Sequence, residues 1–251
     1  MGEPLFSIII PTYEAAGKLP CSLESIAAQD ADLYEAIVVD GASSDGTVEL
    51  LASSTLPNLR WISEPDSGIY DAMNKGAALA SGRFLYFLGA GDRLRPGALS
   101  SIAAQVGTAY RDEPLFLYGD ARNLTKRAVI GGRYSPLRLS CGNICHQAIF
   151  YSRSVFDRVG LYDPRYSIYA DWVLNMRCFA DRRIEKRHVD IMVVDFEGGG
   201  VSEIETDTEF IRDRLRLVRA NLGAAPYALN LLFALATAPV RKNSRLMLRG
   251  L

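Results

Sequence analysis

The chain has 251 residues, of which 49% are hydrophobic and 23% charged, and its formal net charge is −1. This composition excludes wholesale disorder and predicts a packed core in one large domain or two small ones. A net charge so close to zero gives no bulk attraction to nucleic acid, so no nucleic-acid partner is expected. The four cysteines lack a paired CxxC spacing and the N-terminus lacks a signal-peptide pattern, which together favour a reducing cytoplasmic location.

Short apolar runs alternate with helical patterns over the first ninety residues. The predicted strands are Leu5–Ile10, Glu35–Asp40, Asn58–Ser63 and Phe84–Leu88. The predicted helices between them are Ala16–Gln29, Thr47–Leu51 and Asp71–Ala80. This alternation predicts an α/β fold with a parallel sheet and helices on both faces. Ligands of such sheets bind at the carboxyl ends of the strands. The polar segments that fall there are Pro11–Glu14, Asp40, Glu64–Asp66 and Asp92.

Beyond Pro96 the pattern becomes mixed. Helices are predicted over Gly97–Val106, Ser154–Val159 and Asp171–Phe179. Strands are predicted over Leu115–Tyr118, Ala128–Tyr134, Gln147–Tyr151 and Ile191–Phe196. No linker and no internal repeat is evident. We therefore expect one domain over residues 1–225, with halves at 1–95 and 96–225, followed by a separate segment at 226–251.

That C-terminal segment combines an apolar stretch with a basic end. Tyr227–Ala238 is apolar apart from Asn230 and Thr237, and it is shorter than the roughly 20 residues that a bilayer span needs. Seven basic and no acidic residues follow Asp213, and Arg241, Arg245 and Arg249 recur at helical spacing. The pattern favours an amphipathic segment lying on an anionic membrane surface. The alternative is a helix packed on the core with a solvated basic end.

Two carboxylates end predicted strands. Asp92 follows Gly89-Ala-Gly91, where small residues let the backbone approach a ligand, and it can bind Mg²⁺ or Mn²⁺ together with diphosphate oxygens. Its alternative role is to start the turn before Pro96. Asp40 either accepts hydrogen bonds from a ribose or base edge, or caps the turn at Ser43 or Ser44.

Two further positions carry possible chemistry in the second half of the chain. Asp171 opens a predicted helix, where a carboxylate either caps the helix or acts as a general base. Cys141, Cys145 and His146 have a spacing that can bind metal, but the second ligand pair of such sites is missing. His146 by itself is either a ligand of a diphosphate or metal, or a partly buried hydrogen-bonded histidine.

Taken together, these segments resemble an inverting family 2 glycosyltransferase with the GT-A fold. The motifs of the first half are Ser7-Ile-Ile-Ile-Pro-Thr-Tyr-Glu14, Val38-Val-Asp-Gly-Ala-Ser-Ser-Asp-Gly-Thr47, Asp71-Ala-Met-Asn-Lys-Gly76 and Phe87-Leu-Gly-Ala-Gly-Asp92. The later motifs are Tyr118-Gly-Asp120, His146-Gln147, Tyr162-Asp163, Ala170-Asp171-Trp172 and Gly198-Gly-Gly-Val-Ser202. The later group is similar to a bacterial subset that builds exopolysaccharide, colanic-acid-like or O-antigen repeat units. Each motif alone is weak, but their order across residues 5–205 is specific.

The resemblance implies a Rossmann-like, mostly parallel sheet flanked by helices, a mixed acceptor-side region and a C-terminal helical tail. It implies that Asp171 is the catalytic base and that Asp92 binds Mn²⁺ or Mg²⁺, with His146 as a weaker metal candidate. The implied contacts to the nucleotide sugar are Pro11, Thr12, Tyr13, Glu14, Asp40, Asp66, Asn74, Lys75, Ala90, Gly91 and Asp92. The expected donor is a nucleotide-diphosphate sugar, with UDP-sugars first. The expected acceptor is a polyprenyl-diphosphate-linked saccharide at the inner face of the plasma membrane.

Two positions depart from the family's pattern. The usual DxD metal motif reads Ala90-Gly-Asp92, so one metal ligand is missing, and Met73 stands where many relatives carry Arg. Neutralisation of the diphosphate would then fall to Lys75, Arg83 or a later Arg. The thinned motif motivates an alternative function, a catalytically idle nucleotide-sugar-binding module. A nucleotidyltransferase ranks last, because the loop after the first strand is not Gly-rich and basic.

The second half of the chain also contains a glycine-rich segment that is expected to form a loop. Gly198–Glu203 is glycine-rich, and it either closes over the donor or serves as an ordinary connector.

Overall fold

The computed structural model describes residues 3–107, 110–198 and 206–237. The strands are β1 (Phe6–Thr12), β2 (Tyr34–Asp40), β3 (Leu59–Ser63), β4 (Phe84–Phe87), β5 (Arg93–Leu94), β6 (Leu115–Asn123), β7 (Ala128–Ile130), β8 (Ile149–Ser152) and β9 (Glu185–Phe196). The helices are α1 (Leu19–Ala27), α2 (Thr47–Ser53), α3 (Ile69–Leu79), α4 (Ala98–Val106), α5 (Pro136–Cys141), α6 (Arg153–Val159), α7 (Ala170–Ala180), α8 (Thr208–Leu222) and α9 (Ala224–Thr237). Short 3₁₀ turns lie at Ala31–Leu33 and His146–Ala148.

One sheet runs through the described part of the chain in the order β3-β2-β1-β4-β8-β6-β9-β5, and β7 pairs with β6. Strands β1 to β4 are mutually parallel. Strand β8 is antiparallel to both β4 and β6, while β6 and β9 are parallel. The parallel first half and the mixed second half expected from the sequence are therefore both present, and the sheet is continuous across them.

The central strands are apolar along their length because both faces of the sheet are covered. Alternate side chains point to opposite faces. Ile9 of β1 joins the cluster beneath α3, and Ile8 joins the cluster beneath α1 and α4. Helix α3 lies very close to β1, since a β-carbon added at Gly76 would come 2.3 Å from Ile9 Cγ2. Met73 of α3 faces this core and is fully buried.

The strand register places polar residues side by side at one edge of the sheet. Thr12 at the end of β1 pairs with Asp40 at the end of β2, and Asp40 pairs with Ser63 at the end of β3. Strand β4 ends at Phe87, opposite Ile9, so the segment that leads to Asp92 leaves the sheet at the same edge. This carboxyl edge is where an open α/β sheet binds its ligand.

Several elements differ from the sequence expectation. Strand β5, helix α5 and helix α8 were not predicted, β6 is longer than predicted and β7 shorter. Strand β9 begins at Glu185 rather than at Ile191, because parallel pairing with β6 holds its polar first half in the sheet. The predicted strand over Gln147–Tyr151 begins as the 3₁₀ turn His146–Ala148, and the extended part starts at Ile149.

The C-terminal helices α8 and α9 pack against α7 and α5. Asp207 caps α8 by accepting a hydrogen bond from the Phe210 backbone N–H at 2.9 Å, and it also accepts one from the Ile168 N–H at 3.0 Å. Within the ranges that the structure describes, no helix is long and apolar enough to cross a membrane. Most of the glycine-rich loop and the basic end predicted from the sequence, residues 199–205 and 238–251, lie outside the described residues.

Candidate active site

Asp40 is fully buried beneath the carboxyl edge of the sheet. Its Oδ1 accepts hydrogen bonds from Ser43 Oγ at 2.5 Å and Thr12 Oγ1 at 3.3 Å. Its Oδ2 accepts from the Ser43 backbone N–H at 2.9 Å and Ser63 Oγ at 2.7 Å. A carboxylate offers about four acceptor positions, and all four are filled by protein donors. Asp40 therefore holds the turn through Ser43 rather than Ser44, and its contact with the nucleoside stays a prediction.

Tyr13 and Asp66 form the surface above this turn. Tyr13 is 69% exposed. A β-carbon added at Gly41 would lie 2.7 Å from Asp66 Oδ2 and 3.3 Å from Tyr13 Cδ2, so the missing side chain at Gly41 leaves room for both. Glu14 has a positive φ of 48° and its Oε1 accepts from the Ser44 backbone N–H at 2.9 Å. The exposed aromatic ring can stack on a base, and the neighbouring carboxylate can accept hydrogen bonds from that base.

Other implied nucleotide contacts are engaged elsewhere. Pro11 and Thr12 are buried within β1. Asn74 exchanges two hydrogen bonds with the Tyr162 backbone, at 2.9 and 3.1 Å. Lys75 pairs with Glu64 at 2.9 Å and also donates to the Pro65 carbonyl at 2.8 Å.

Arg83, one of the cations considered for the diphosphate, lies at the other edge of the sheet. It immediately precedes β4 and its Nε pairs with Asp112 at 2.9 Å. The amino and carboxyl ends of a strand lie at opposite edges, so Arg83 does not face the polar edge. Met73 cannot supply a cation either, because its apolar side chain points into the core.

Asp92 is held at the polar edge by a short loop that includes Ala90 and Gly91. Ser22 of α1 donates to the Asp92 carbonyl at 2.8 Å and accepts from the Gly91 N–H at 2.8 Å. Gln147 Nε2 donates to Asp92 Oδ2 at 2.7 Å. A β-carbon at Gly89 would come 2.5 Å from that oxygen, which is why a side chain is missing there. Burial raises the pKa of Asp92 to about 6, against the opposing effect of the Gln147 hydrogen bond.

The residues around Asp92 fit a divalent cation that is shared with a substrate. Mg²⁺ and Mn²⁺ prefer oxygen ligands, and Mg²⁺ sites often combine one or two carboxylates with substrate phosphates. Asp92 supplies one carboxylate, with Oδ2 partly used by Gln147. Within the described ranges, neither Asp92 nor His146 belongs to a cluster of three groups able to ligate a metal. The set therefore fits a cation held jointly with a diphosphate rather than by the protein alone.

The cysteine-containing spacing does not form a metal site in the structure. The Cys145 thiol donates to Gln147 Oε1 at 2.9 Å, and burial raises the pKa of Cys145 to about 12. Among the described residues, no cluster of three groups able to ligate a metal includes Cys141, Cys145 or His146. Cys141 is exposed, and all four cysteines are free.

One cluster of three metal-ligating groups occurs among the described residues, at Asp120, His188 and Asp190. Asp120 Oδ1 accepts from His188 Nε2 at 2.8 Å and from the Gly132 N–H at 2.8 Å. These bonds connect β6 to β9 and to the segment after β7. Asp190 is almost fully exposed, and its Oδ1 lies 3.6 Å from His188 Nδ1. Asp120 and His188 of this cluster therefore hold the second half of the sheet together.

Asp171 lies in the first turn of α7 and is only 6% exposed. Its Oδ1 accepts from the Trp172 N–H at 2.8 Å and lies 3.0 Å from the Tyr70 hydroxyl, whose single proton is shared with the Ile168 carbonyl at 2.6 Å. Its Oδ2 accepts from Asn143 Nδ2 at 2.7 Å. Oδ2 thus has one side-chain donor and an open acceptor position. Burial raises the pKa of Asp171, although the neighbouring donors oppose that shift.

A hydrogen-bonded network fixes Asp171 in place. Asn143 Oδ1 accepts from Asn175 Nδ2, whose Oδ1 accepts from the Tyr151 hydroxyl, both at 2.8 Å. The sequence reasoning did not single out any of the three. Tyr70 was also missed as a partner of Asp171, although it lies directly before the recognised segment Asp71–Gly76.

The 3₁₀ turn at His146–Ala148 connects the two carboxylates. Gln147 binds Asp92, and His146 Nδ1 lies 3.8 Å from Asp171 Oδ2. The Tyr86 hydroxyl of β4 donates to the Gln147 carbonyl at 2.7 Å and fixes the turn. Burial lowers the pKa of His146, so the imidazole is neutral at pH 7. His146 thus lies on the Asp171 side of the site rather than beside Asp92.

Comparison with known proteins identifies the family. The sequence model of Glycosyl transferase family 2 matches residues 7–112. Proteins of Mycobacterium bovis and Mycobacterium tuberculosis named PGL/p-HBAD biosynthesis glycosyltransferase are each 42% identical over 220 residues, covering 84% of this chain and 84% of theirs. The chain belongs to glycosyltransferase family 2. Its activity is therefore glycosyl transfer, and the resemblance seen in the motifs is confirmed.

Solved structures confirm the GT-A fold of this glycosyltransferase. Residues 1–349 of S. aureus TarS, in complex with UDP, align with a TM-score of 0.69 at 19% identity, covering 93% of this chain and 72% of that one. The chain spans 39% of a longer TarS structure. A mannosyltransferase of Pyrobaculum calidifontis, in complex with GDP-Man and Mn²⁺, aligns with a TM-score of 0.60 at 18% identity. The alignment covers 94% of this chain and 76% of the mannosyltransferase chain.

Replacing Asp92 with Asn is expected to stabilise the metal-free protein at pH 8 by about 3 kcal/mol. The pKa of Asp92 is about 6 in the fold and about 3.9 in the unfolded chain, so its ionisation above pH 6 favours unfolding. The gain should shrink below pH 6 and vanish near pH 4, where Asp92 is protonated in both states. Urea denaturation at several pH values measures this. Asp157→Asn, at an exposed position on α6, is the control. If Asp92→Asn is no more stable than the wild-type protein at pH 8, the raised pKa of Asp92 is contradicted.

Proposed function

We propose that the protein transfers a sugar, with inversion at the anomeric carbon, from a nucleotide-diphosphate sugar to a lipid-linked acceptor. Residues 1–225 form the catalytic domain in this proposal, with the donor bound mainly by 1–95 and the acceptor by 96–225. The observation that carries it is that two consecutive residues of one turn contact two carboxylates, the half-buried Asp92 and the buried Asp171. Gln147 binds Asp92 on the donor side, and His146 faces Asp171 on the other.

Asp171 is assigned as the general base. An acceptor hydroxyl placed at the open position on Oδ2 would donate its proton there while its oxygen attacks the anomeric carbon. The bond from that carbon to the diphosphate breaks as the new glycosidic bond forms, so the configuration inverts. Burial raises the pKa of Asp171 toward the operating pH, which favours proton transfer. Tyr70 and Asn143 hold the carboxylate in one orientation.

On the donor side, Tyr13 and Asp66 are assigned to the nucleoside. Their positions around Gly41 suit stacking and hydrogen bonding, whereas Asp40 acts indirectly by shaping the turn beneath them. Asp92 would hold Mn²⁺ or Mg²⁺ beside the diphosphate, and the cation supplies charge stabilisation for the leaving group when bound. The structural relatives bound to UDP and to GDP-Man support a nucleotide-sugar donor, and a UDP-sugar is the first choice.

The acceptor is proposed to be lipid-linked and to be used at the cytoplasmic face of the plasma membrane. The sequence motifs favour a polyprenyl-diphosphate-linked saccharide of a surface polysaccharide. The mycobacterial relatives are named for PGL/p-HBAD biosynthesis. An assay should therefore include acceptors of that class.

Asp171→Asn is expected to reduce the transfer rate about 1,000-fold, because the acceptor hydroxyl loses its proton acceptor. Donor binding should stay within about threefold, since Asp171 faces the acceptor half. The assay measures nucleoside diphosphate released from a UDP-sugar with Mn²⁺ and acceptor, and calorimetry measures donor affinity. Asp157→Asn is the matched control.

Full transfer activity in Asp171→Asn would overturn the base assignment. Saturable donor binding by the wild-type protein, without turnover on any of the acceptors, would instead favour the nucleotide-sugar-binding module that the thinned metal motif suggests.

The C-terminal helices support attachment to the membrane surface. Helix α9 exposes a group of large apolar side chains, with exposed fractions of 45 to 68%: Leu229, Leu232, Phe233 and Leu235. A cavity of about 530 Å³ between α8 and α9 is lined by Arg216, Arg219 and Tyr227 among others. The basic residues of 238–251 follow this surface in the sequence. Apolar side chains next to basic ones suit an anionic bilayer.

Replacing both Leu232 and Leu235 with Ser is expected to weaken binding to phosphatidylglycerol-rich vesicles about tenfold, because less apolar surface would enter the bilayer interface. Vesicle co-sedimentation measures the binding. Val129→Ser in β7, also strongly exposed, controls for the loss of a surface apolar side chain. Unchanged sedimentation of the double variant, or none by the wild-type protein, would count against this attachment surface.

A further inference from the structure

Lys18 lies in the loop that joins β1 to α1, at the carboxyl edge of the sheet. Its backbone N–H donates to the Ala15 carbonyl at 2.9 Å, which places it directly before the first residue of α1. The residue is exposed. The loop is therefore fixed by the start of the helix, while the ammonium group of Lys18 remains in contact with solvent.

The Lys18 side chain packs along the loop that carries Asp92. A β-carbon added at Gly91 would lie 3.5 Å from Lys18 Cβ and 3.7 Å from Lys18 Cδ. Gly91 has a φ of +103°, which favours glycine, and it leaves this side of the loop open to the lysine. The Cys21 thiol also bonds the Lys18 carbonyl at 3.1 Å and the Gly91 carbonyl at 3.3 Å, so the two loops are joined.

Lys18 has charge available for a ligand. Among the described residues no carboxylate lies within ion-pair distance of its ammonium group, whereas Lys75 is paired with Glu64 and Arg83 with Asp112. The Lys18 side chain packs against Gly91, so its ammonium group adds positive potential to the loop that carries Asp92.

We propose that Lys18 is the protein cation that pairs with the diphosphate of the donor. The inference rests on the proposed function, since it requires a nucleoside diphosphate beside Asp92. Lys18 packs against the Asp92 loop from the β1 side, and its flexible stem can bring three N–H donors to phosphate oxygens. It would supply the charge that Met73, buried in the core, cannot.

The test compares nucleotide binding by Lys18→Met, Lys18→Arg and the wild-type protein, with UDP and with uridine, in the presence of Mn²⁺. Lys18→Met should bind UDP about tenfold more weakly, the size of one lost charge-assisted hydrogen bond, and uridine unchanged. Lys18→Arg should retain most of the UDP affinity. Lys126→Met, exposed in the turn between β6 and β7, removes the same charge and should behave as wild type. Calorimetry serves for UDP and NMR titration for uridine.

Equal UDP affinity of Lys18→Met and wild type would overturn the inference and leave the proposed function standing. Equal losses for UDP and uridine would also overturn it, because Lys18 would then be shaping the loop rather than pairing with phosphate. If the wild-type protein does not bind UDP in the presence of Mn²⁺, the proposed function itself fails, and the inference fails with it.

Discussion

The hydrogen bond from Gln147 to Asp92 is the contact on which the site depends. Gln147 and His146 are consecutive in a 3₁₀ turn, and the Tyr86 hydroxyl fixes that turn to β4. Since the turn immediately precedes β8, the pairing of β8 with β4 sets the positions of both residues. The two halves of the chain thus meet at this turn, where Gln147 contacts Asp92 and His146 faces Asp171.

The carboxylates that are buried or half-buried differ in how many of their acceptor positions the protein fills. The Asp40 carboxylate accepts four hydrogen bonds and has no open position. At Glu35, burial opposes ionisation, but hydrogen bonds from Ser7 and Ser81 outweigh it and lower the pKa. Asp92 and Asp171 accept fewer bonds, and burial raises the pKa of each. Incomplete satisfaction costs stability and leaves room for a ligand, which is a common arrangement in active sites.

The sequence was a good guide where the chemistry is local. Apolar strands alternating with helices can be recognised because both faces of a parallel sheet are buried. Asp92 and Asp171 stand out in the sequence because each follows or begins such an element, and their roles stay predictions. Roles set by tertiary contacts were not legible. The sequence indicates Ser43 or Ser44 as a turn partner of Asp40, but it does not indicate that Ser63 reaches Asp40 or that Asn143 reaches Asp171. The polar start of β9 lacks a strand pattern and is held only by β6.

A crystal structure of the protein with UDP and Mn²⁺ would show directly where the donor binds. We expect the uracil beside Tyr13 and Asp66, and the diphosphate with its cation beside Asp92, with an open path from the terminal phosphate to Asp171 Oδ2. A nucleotide bound at the opposite edge of the sheet, near Arg83 and Asp112, would contradict the account. So would a diphosphate on the polar edge whose terminal phosphate points away from Asp171.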